Sequence, residues 1–285
     1  MTLYFFAWTA SLLFGLEGII AKLVNKHSIN NVWLFNFIWA LFSFLFVIPV
    51  AFYFGAGIPL SWNYIFLGSI FFALATVLNT ISLSRLDISV FVPLFSFRTA
   101  MAVIISSFFI QEILTVHQYF LIAIILIFGI FVSFDEHFSF KSFFNRNILI
   151  ALTCMFFYVI LSIFLKKSIA INDFWTTTLW ITLLGQCWLL FTIPLFKKVE
   201  LAINVKQCLN VAVVAFIGTV GMLAANAAYA KNVSLSTVII SLPLSMIIAF
   251  LFSIFAPELL EKHSLKVYAV RFTAAIIMII AAINL

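Results

Sequence analysis

Three charged residues stand deep inside largely apolar stretches, the first of which also carries Lys22 near its end. Glu17 lies in LLFGLEGIIAKLV (12–24), Arg98 in VFVPLFSFRTAMAV (90–103) and Arg271 in VYAVRFTAAI (267–276). An arginine in low-dielectric surroundings offers a planar fork of donors that matches a carboxylate or a phosphate. A carboxyl in the same setting can hold an ammonium group or trade a proton with its surroundings. Either charge can equally serve as half of a structural ion pair that fixes helix packing. Which role applies depends on the elements that carry these side chains.

Those elements are membrane spans. The chain has 285 residues, 66% of them hydrophobic and only 8% charged, whereas a soluble domain carries roughly 25% charged residues. Apolar runs of about 20 residues recur from end to end, each long enough to cross the ~30 Å hydrocarbon core. They do not alternate as barrel strands would. The fold class expected is an all-α polytopic membrane protein. Polar punctuation predicts ten transmembrane helices, at 3–24, 31–54, 61–83, 88–111, 115–134, 148–168, 173–196, 206–230, 234–256 and 264–285. Ser61, Thr115, Asp173 and Ser264 stand where helix N-caps belong. The first run lacks the basic start and small-residue cleavage site of a signal peptide, and reads as a span.

The polar stretch DEHFSFKSFFNRN (135–147) divides the chain into a first five-helix half, 1–134, and a second, 148–285. The halves look related. Lys22 closes the first span and Lys166 the sixth, 144 positions apart; Pro93 falls early in the fourth span and Pro243 in the ninth, 150 apart. Acidic loops follow both proline spans, with Glu112 after the fourth and Glu258 and Glu261 after the ninth. An odd number of spans per copy inverts the second copy, an arrangement that places a substrate site near the midplane between the halves.

With these features the chain resembles the drug/metabolite transporter superfamily, EamA type. The resemblance implies two inverted five-helix repeats. It also implies a secondary transporter, commonly an exporter, that moves a small polar or amphipathic metabolite by alternating access. A multi-pass protein of a bacterial cytoplasmic (inner) membrane, monomeric or homodimeric, is expected, with a small-molecule substrate, the lipid bilayer and a coupling proton as its partners. A lipid or lipid-like substrate translocase and a non-transporting membrane scaffold are the alternatives.

Depth sorts the candidates. At ~1.5 Å per residue, Glu17 and Arg271 lie roughly 10 Å from the membrane face opposite the termini, and Arg98 roughly 15 Å. A pair between Glu17 and an arginine across helices is feasible. Lys22 is turned about 140° from Glu17 and is near enough to the interface to snorkel. The candidate substrate-binding set is Glu17, Arg98, Asn79, Asn226, Tyr229 and Arg271, with Asn36 and Gln186 as further polar residues inside spans. Pro93 and Pro243 are candidate hinge or gate positions, because proline removes a backbone hydrogen bond and frees a carbonyl. Gly15 and Gly18 around Glu17 would allow close helix approach. Trp39 reads as core packing, and loop solvation is the default for Glu112.

Other classes lose ground. No metal-ligand cluster is expected: Cys154, Cys187 and Cys208 are scattered, and the four histidines lie near loops far apart. Without a nucleophile elbow, HExxH or paired-carboxylate motif, no enzyme and no cofactor is expected. The net charge of +6 comes from basic residues flanking spans, which speaks for topology and not for a nucleic acid. Ten lysines and arginines fall near the face opposite the termini against three on the termini side, a bias that puts both termini outside. The family resemblance implies cytoplasmic termini instead.

Overall fold

The computed structural model describes residues 2–86, 88–133, 146–196, 203–244 and 265–285. Among these the apolar runs are helical and no strand occurs. The helices are α1 (Thr2–His27), α2 (Val32–Tyr53), α3 (Asn63–Arg85), α4 (Ile88–Phe109), α5 (Val116–Ser133), α6 (Arg146–Asn172), α7 (Phe174–Leu189), α8 (Val205–Tyr229), α9 (Val233–Ile240) and α10 (Leu265–Ile283). A 3-10 turn over Leu190–Leu195 extends α7. Six of the helices, α1, α2, α3, α6, extended α7 and α8, are long and apolar enough to cross a membrane. Large apolar side chains such as Phe5, Phe66, Phe108, Phe120 and Phe216 stay exposed on the outside, as lipid-facing residues must. The protein is an all-helical, multi-pass membrane protein.

Local chemistry sets most helix ends. Asp173 begins α7, its side chain accepting from the Thr176 amide at 2.9 Å, and its φ of 69° turns the chain sharply out of α6. Thr115 and Gln118 bond reciprocally at the start of α5. Asn31, Asn204 and Asn232 cap α2, α8 and α9. Ser61 is not the cap expected of it. The residue before α3 is Trp62, with no side-chain cap bond, while Ser61 pairs through its backbone with Asn172 across the molecule. Ser264 lies outside the described residues.

Of the ninth run, expected as a span over 234–256, the described residues end at 244, and within them the helix is interrupted. Its helix stops at Ile240, and the backbone turns through Ser241 and Leu242, with the Leu242 amide on the Ile239 carbonyl at 3.2 Å. Pro243 explains the stop. Its ring would clash with the carbonyl four residues back, and it biases the residue before it away from helix. Pro93 behaves differently, and α4 runs through it unbroken.

Packing mixes the two halves. The most extensive contacts pair α1 with α8 and α3 with α6; α2 lies against α7 and α8, α4 against α5, α6 and α9, and α5 against α10. Along α1 and α8 the facing buried residues include Ala7, Ala10, Ala224, Ala225 and Ala228. Small residues let two backbones approach closely, which is how helices associate where lipid supplies no hydrophobic drive.

Candidate functional site

A cavity of about 170 Å³ lies among α1, α2, α3, α4, α6, α7, α8 and the broken end of α9. Both halves wall it. Glu17, Asn79, Arg98, Asn226 and Tyr229, chosen separately from sequence, all line it. The side chain of Arg271 lies outside the described residues, as does that of Pro93. Pro243 is buried one residue beyond the wall segment Ile240–Leu242.

Arg98 is the centre of the site. It is only 4% exposed, and its charge is stabilised by aromatic groups. Nη2 donates to the Tyr229 hydroxyl at 2.6 Å. The guanidinium carbon stands 5.0 Å from the centroid of the Tyr158 ring and 6.0 Å from that of Tyr229, inside the range of a cation–π attraction. The Glu17–Arg98 ion pair judged feasible from depth is not formed among the described residues. Both charges face the same cavity instead, unneutralised by each other.

Glu17 rests on α8. An added Cβ at Gly218 would collide with Glu17 Oε1 and lie 2.6 Å from its Cδ, so glycine here leaves the carboxyl where it stands and any larger residue would displace it. One turn on, a Cβ at Gly221 would meet the Phe14 ring at 3.1 Å. Of the two α1 glycines expected to allow close approach, Gly18 has nothing within 4 Å of its Cβ position and opens onto the cavity, whereas Gly218 and Gly221 of α8 are in close contact with α1. Trp39 packs against the core as expected and also lines the cavity beside Glu17, with which it shares a hydrogen bond.

The remaining wall is rich in donors without partners. Asn36 accepts from Thr80 at 3.0 Å, but its amide Nδ2 has no acceptor. Arg98 Nε has none either, nor do the hydroxyls of Ser11 and Ser241. Each buried donor left unmade costs about 1–3 kcal/mol. A wall in this condition is complementary to a solute that brings acceptors. Asn226 is partly satisfied, donating to Thr178 at 3.4 Å. Gln186 is buried but off the cavity, and nothing in the structure explains its two unpartnered amide atoms.

Sequence reasoning missed Tyr158, Thr76, Thr80, Thr178, Thr182 and Ser241 on the wall. Tyr158 carried a faint signal, a phenol in mid-span within MFFYVIL. Two further corrections concern the ends of the spans. Lys22 does not simply snorkel; its ammonium donates to the Leu86 carbonyl at 3.1 Å. Glu112 is not solvated by a loop. It is 8% exposed and pairs with Lys166 at 2.6 Å. Burial alone would push its carboxyl up, but the bonds from Lys166, Ser234 and Val233 outweigh that and hold it below its ordinary 4.5.

Comparison with known proteins adds no assignment: no family model and no curated protein matches the chain.

Proposed function

We propose that this protein is a secondary active transporter of EamA type that carries a small polar or amphipathic metabolite, outward, by alternating access. The observation that carries the reading is the cavity lined from both halves, with Arg98 and several orphaned donors among its lining residues. The metabolite presents a carboxylate or phosphate to Arg98, where Tyr229 adds a second donor. Its own hydroxyl proton, polarised by the guanidinium, points the same chemistry at the anion. Glu17, against Gly218, is the proton-exchanging or ammonium-binding group.

Two inverted five-helix repeats, ten spans in all, belong to this proposal. Support comes from the packing partners. Replace each helix by the one five places on, and α1 with α8 becomes α6 with α3, while α2 with α8 becomes α7 with α3. The pairs α2–α7, α4–α9 and α5–α10 map onto themselves. Polar contacts follow the same exchange. Lys22 bonds the Leu86 carbonyl and Lys166 the Lys231 carbonyl, with the lysines 144 positions apart and the carbonyls 145. Gln207 bonds the Ser28 carbonyl on one face, and Ser61 pairs with Asn172 on the other.

Uptake into proteoliposomes, over a panel of anionic, zwitterionic and cationic metabolites with and without a pH gradient, tests the reading. An anion-bearing solute transported by the parent and lost in Arg98→Ala is expected. Transport restricted to solutes without an acceptor group, or indifferent to Arg98→Ala, would refute it.

A further inference from the structure

Glu112 belongs to the turn between α4 and α5, yet its carboxylate is bound to the second half. Oε1 accepts from Lys166 Nζ at 2.6 Å and from the Val233 amide at 2.8 Å. Oε2 accepts from the Ser234 amide at 2.9 Å and the Ser234 hydroxyl at 2.8 Å. Lys166 reaches on to the Lys231 carbonyl at 3.2 Å, and Ser234 also bonds Ser106 of α4. One carboxylate thus ties the end of α4, the end of α6 and the start of α9. The backbone is bent to achieve this: Gln111, just before it, has a φ of 52°, a region non-glycine residues rarely enter.

The position of this cluster matters as much as its strength. With the spans alternating in direction, the α4–α5 turn, the α8–α9 turn and the end of α6 all fall on the termini side. The cluster lies directly beyond the cavity. Leu165 of α6, next to Lys166, lines the cavity, and so does Tyr229, two residues before Lys231. A route that leaves the site towards the termini side between α4, α6 and the α8–α9 corner would have to part these elements here. We propose that the Glu112–Lys166 pair, with the α9 N-terminus it caps, is the gate that closes the substrate pathway on the termini side. The bonds hold in the closed arrangement of this structure, and they break together when that side opens.

The inference rests on the transport reading, so its test measures accessibility and not uptake, and the two fail separately. In a chain carrying Cys154→Ala, Cys187→Ser and Cys208→Ser, Ala225→Cys supplies a thiol on the cavity wall, four residues before the end of α8. A membrane-impermeant maleimide is added from the termini side of sealed vesicles. The parent should label slowly. Glu112→Gln and Lys166→Met should each speed labelling by about tenfold, within the usual range of a coupling between two states. The swap of Glu112→Lys with Lys166→Glu keeps a charge pair but gives the Val233 and Ser234 amides no acceptor, so it should label as fast as Glu112→Gln. Fast labelling of the parent would overturn the gate. So would unchanged labelling in folded Glu112→Gln and Lys166→Met, or parental protection in the swap. Should Glu112→Gln fail to fold, Lys166→Met and Ser234→Ala, which removes the hydroxyl that donates to Oε2 and contacts Ser106, decide the matter on the same readout.

Discussion

Gly218→Ala adds one methyl group at the point where α8 supports Glu17. The new Cβ would lie 2.6 Å from the Glu17 Cδ and 3.0 Å from Oε2, with Oε1 closer still. Ordinary contact begins near 3.4 Å, so the carboxyl must shift by about 1 Å. It has somewhere to go, because the cavity lies on its open side. The stability cost should therefore sit near the lower end of the about 1–3 kcal/mol typical of overpacking. The functional cost should be larger, since about 1 Å of misplacement of a working group is enough to cost orders of magnitude in rate. Gly221→Ala is the matched control. It crowds Phe14 and Leu13 at 3.1 and 3.2 Å on the same pair of helices without touching Glu17. Thermal unfolding and proteoliposome uptake of both variants should separate the two effects. Similar losses of stability are expected, with uptake and its proton dependence impaired by tenfold or more in Gly218→Ala alone. If both variants transport alike, the placement of Glu17 has no part in the cycle.

Arg98→Lys keeps the charge but loses the planar fork, so affinity for an anionic solute should fall by about tenfold or more, a binding isotherm or the KM for uptake being the measure. Tyr229→Phe keeps the ring against Arg98 and removes the hydroxyl; one charge-assisted bond, about 1.5–3 kcal/mol, leaves the site, and anion affinity should weaken while cation–π packing persists. For Glu112 the carboxyl is held below its ordinary 4.5 in the folded protein. Its stabilising contribution is thus complete above about pH 4.5 and disappears as pH falls through the lower folded value. Unfolding temperature measured down through that range should drop more steeply in the parent than in Glu112→Gln.

Much of this arrangement was legible in the sequence, for a physical reason. A charge or amide inside an apolar run is costly unless it is paired or faces a cavity, and Glu17, Arg98, Asn79, Asn226 and Tyr229 all line one cavity; Gln186, buried away from it, does not follow the rule. Span ends were legible because polar residues and caps punctuate them, and nine of the ten predicted runs end within a few residues of a helix. Aromatic wall residues were not legible. With 37 phenylalanines in the chain, neither Trp39 nor Tyr158 stands out from packing residues. Gly218 was equally silent, because its importance lies in a side chain two hundred positions away. The two prolines show how position decides. Pro93 removes one bond close to the start of α4, where few carbonyls precede it, whereas Pro243 comes after eight helical residues of α9 and ends them. Glu112 was misjudged because a loop position suggested water, while the exposed amides at the start of α9 supplied better partners.

The pairing of α1 with α8 has a further consequence, for biosynthesis. Ser28 at the end of α1 meets Gln207 at the start of α8, 179 residues later. At translation rates of about 5–20 residues per second, that separation is on the order of ten to forty seconds. During this interval the first half sits in the membrane with Glu17 lacking the glycine surface that receives it. The emerging chain must be sheltered by lipid headgroups, by the insertion machinery or by provisional helix contacts until α8 arrives. Assembly of this protein is therefore a late event, and substitutions on α8 should betray themselves first as degraded, half-assembled chains.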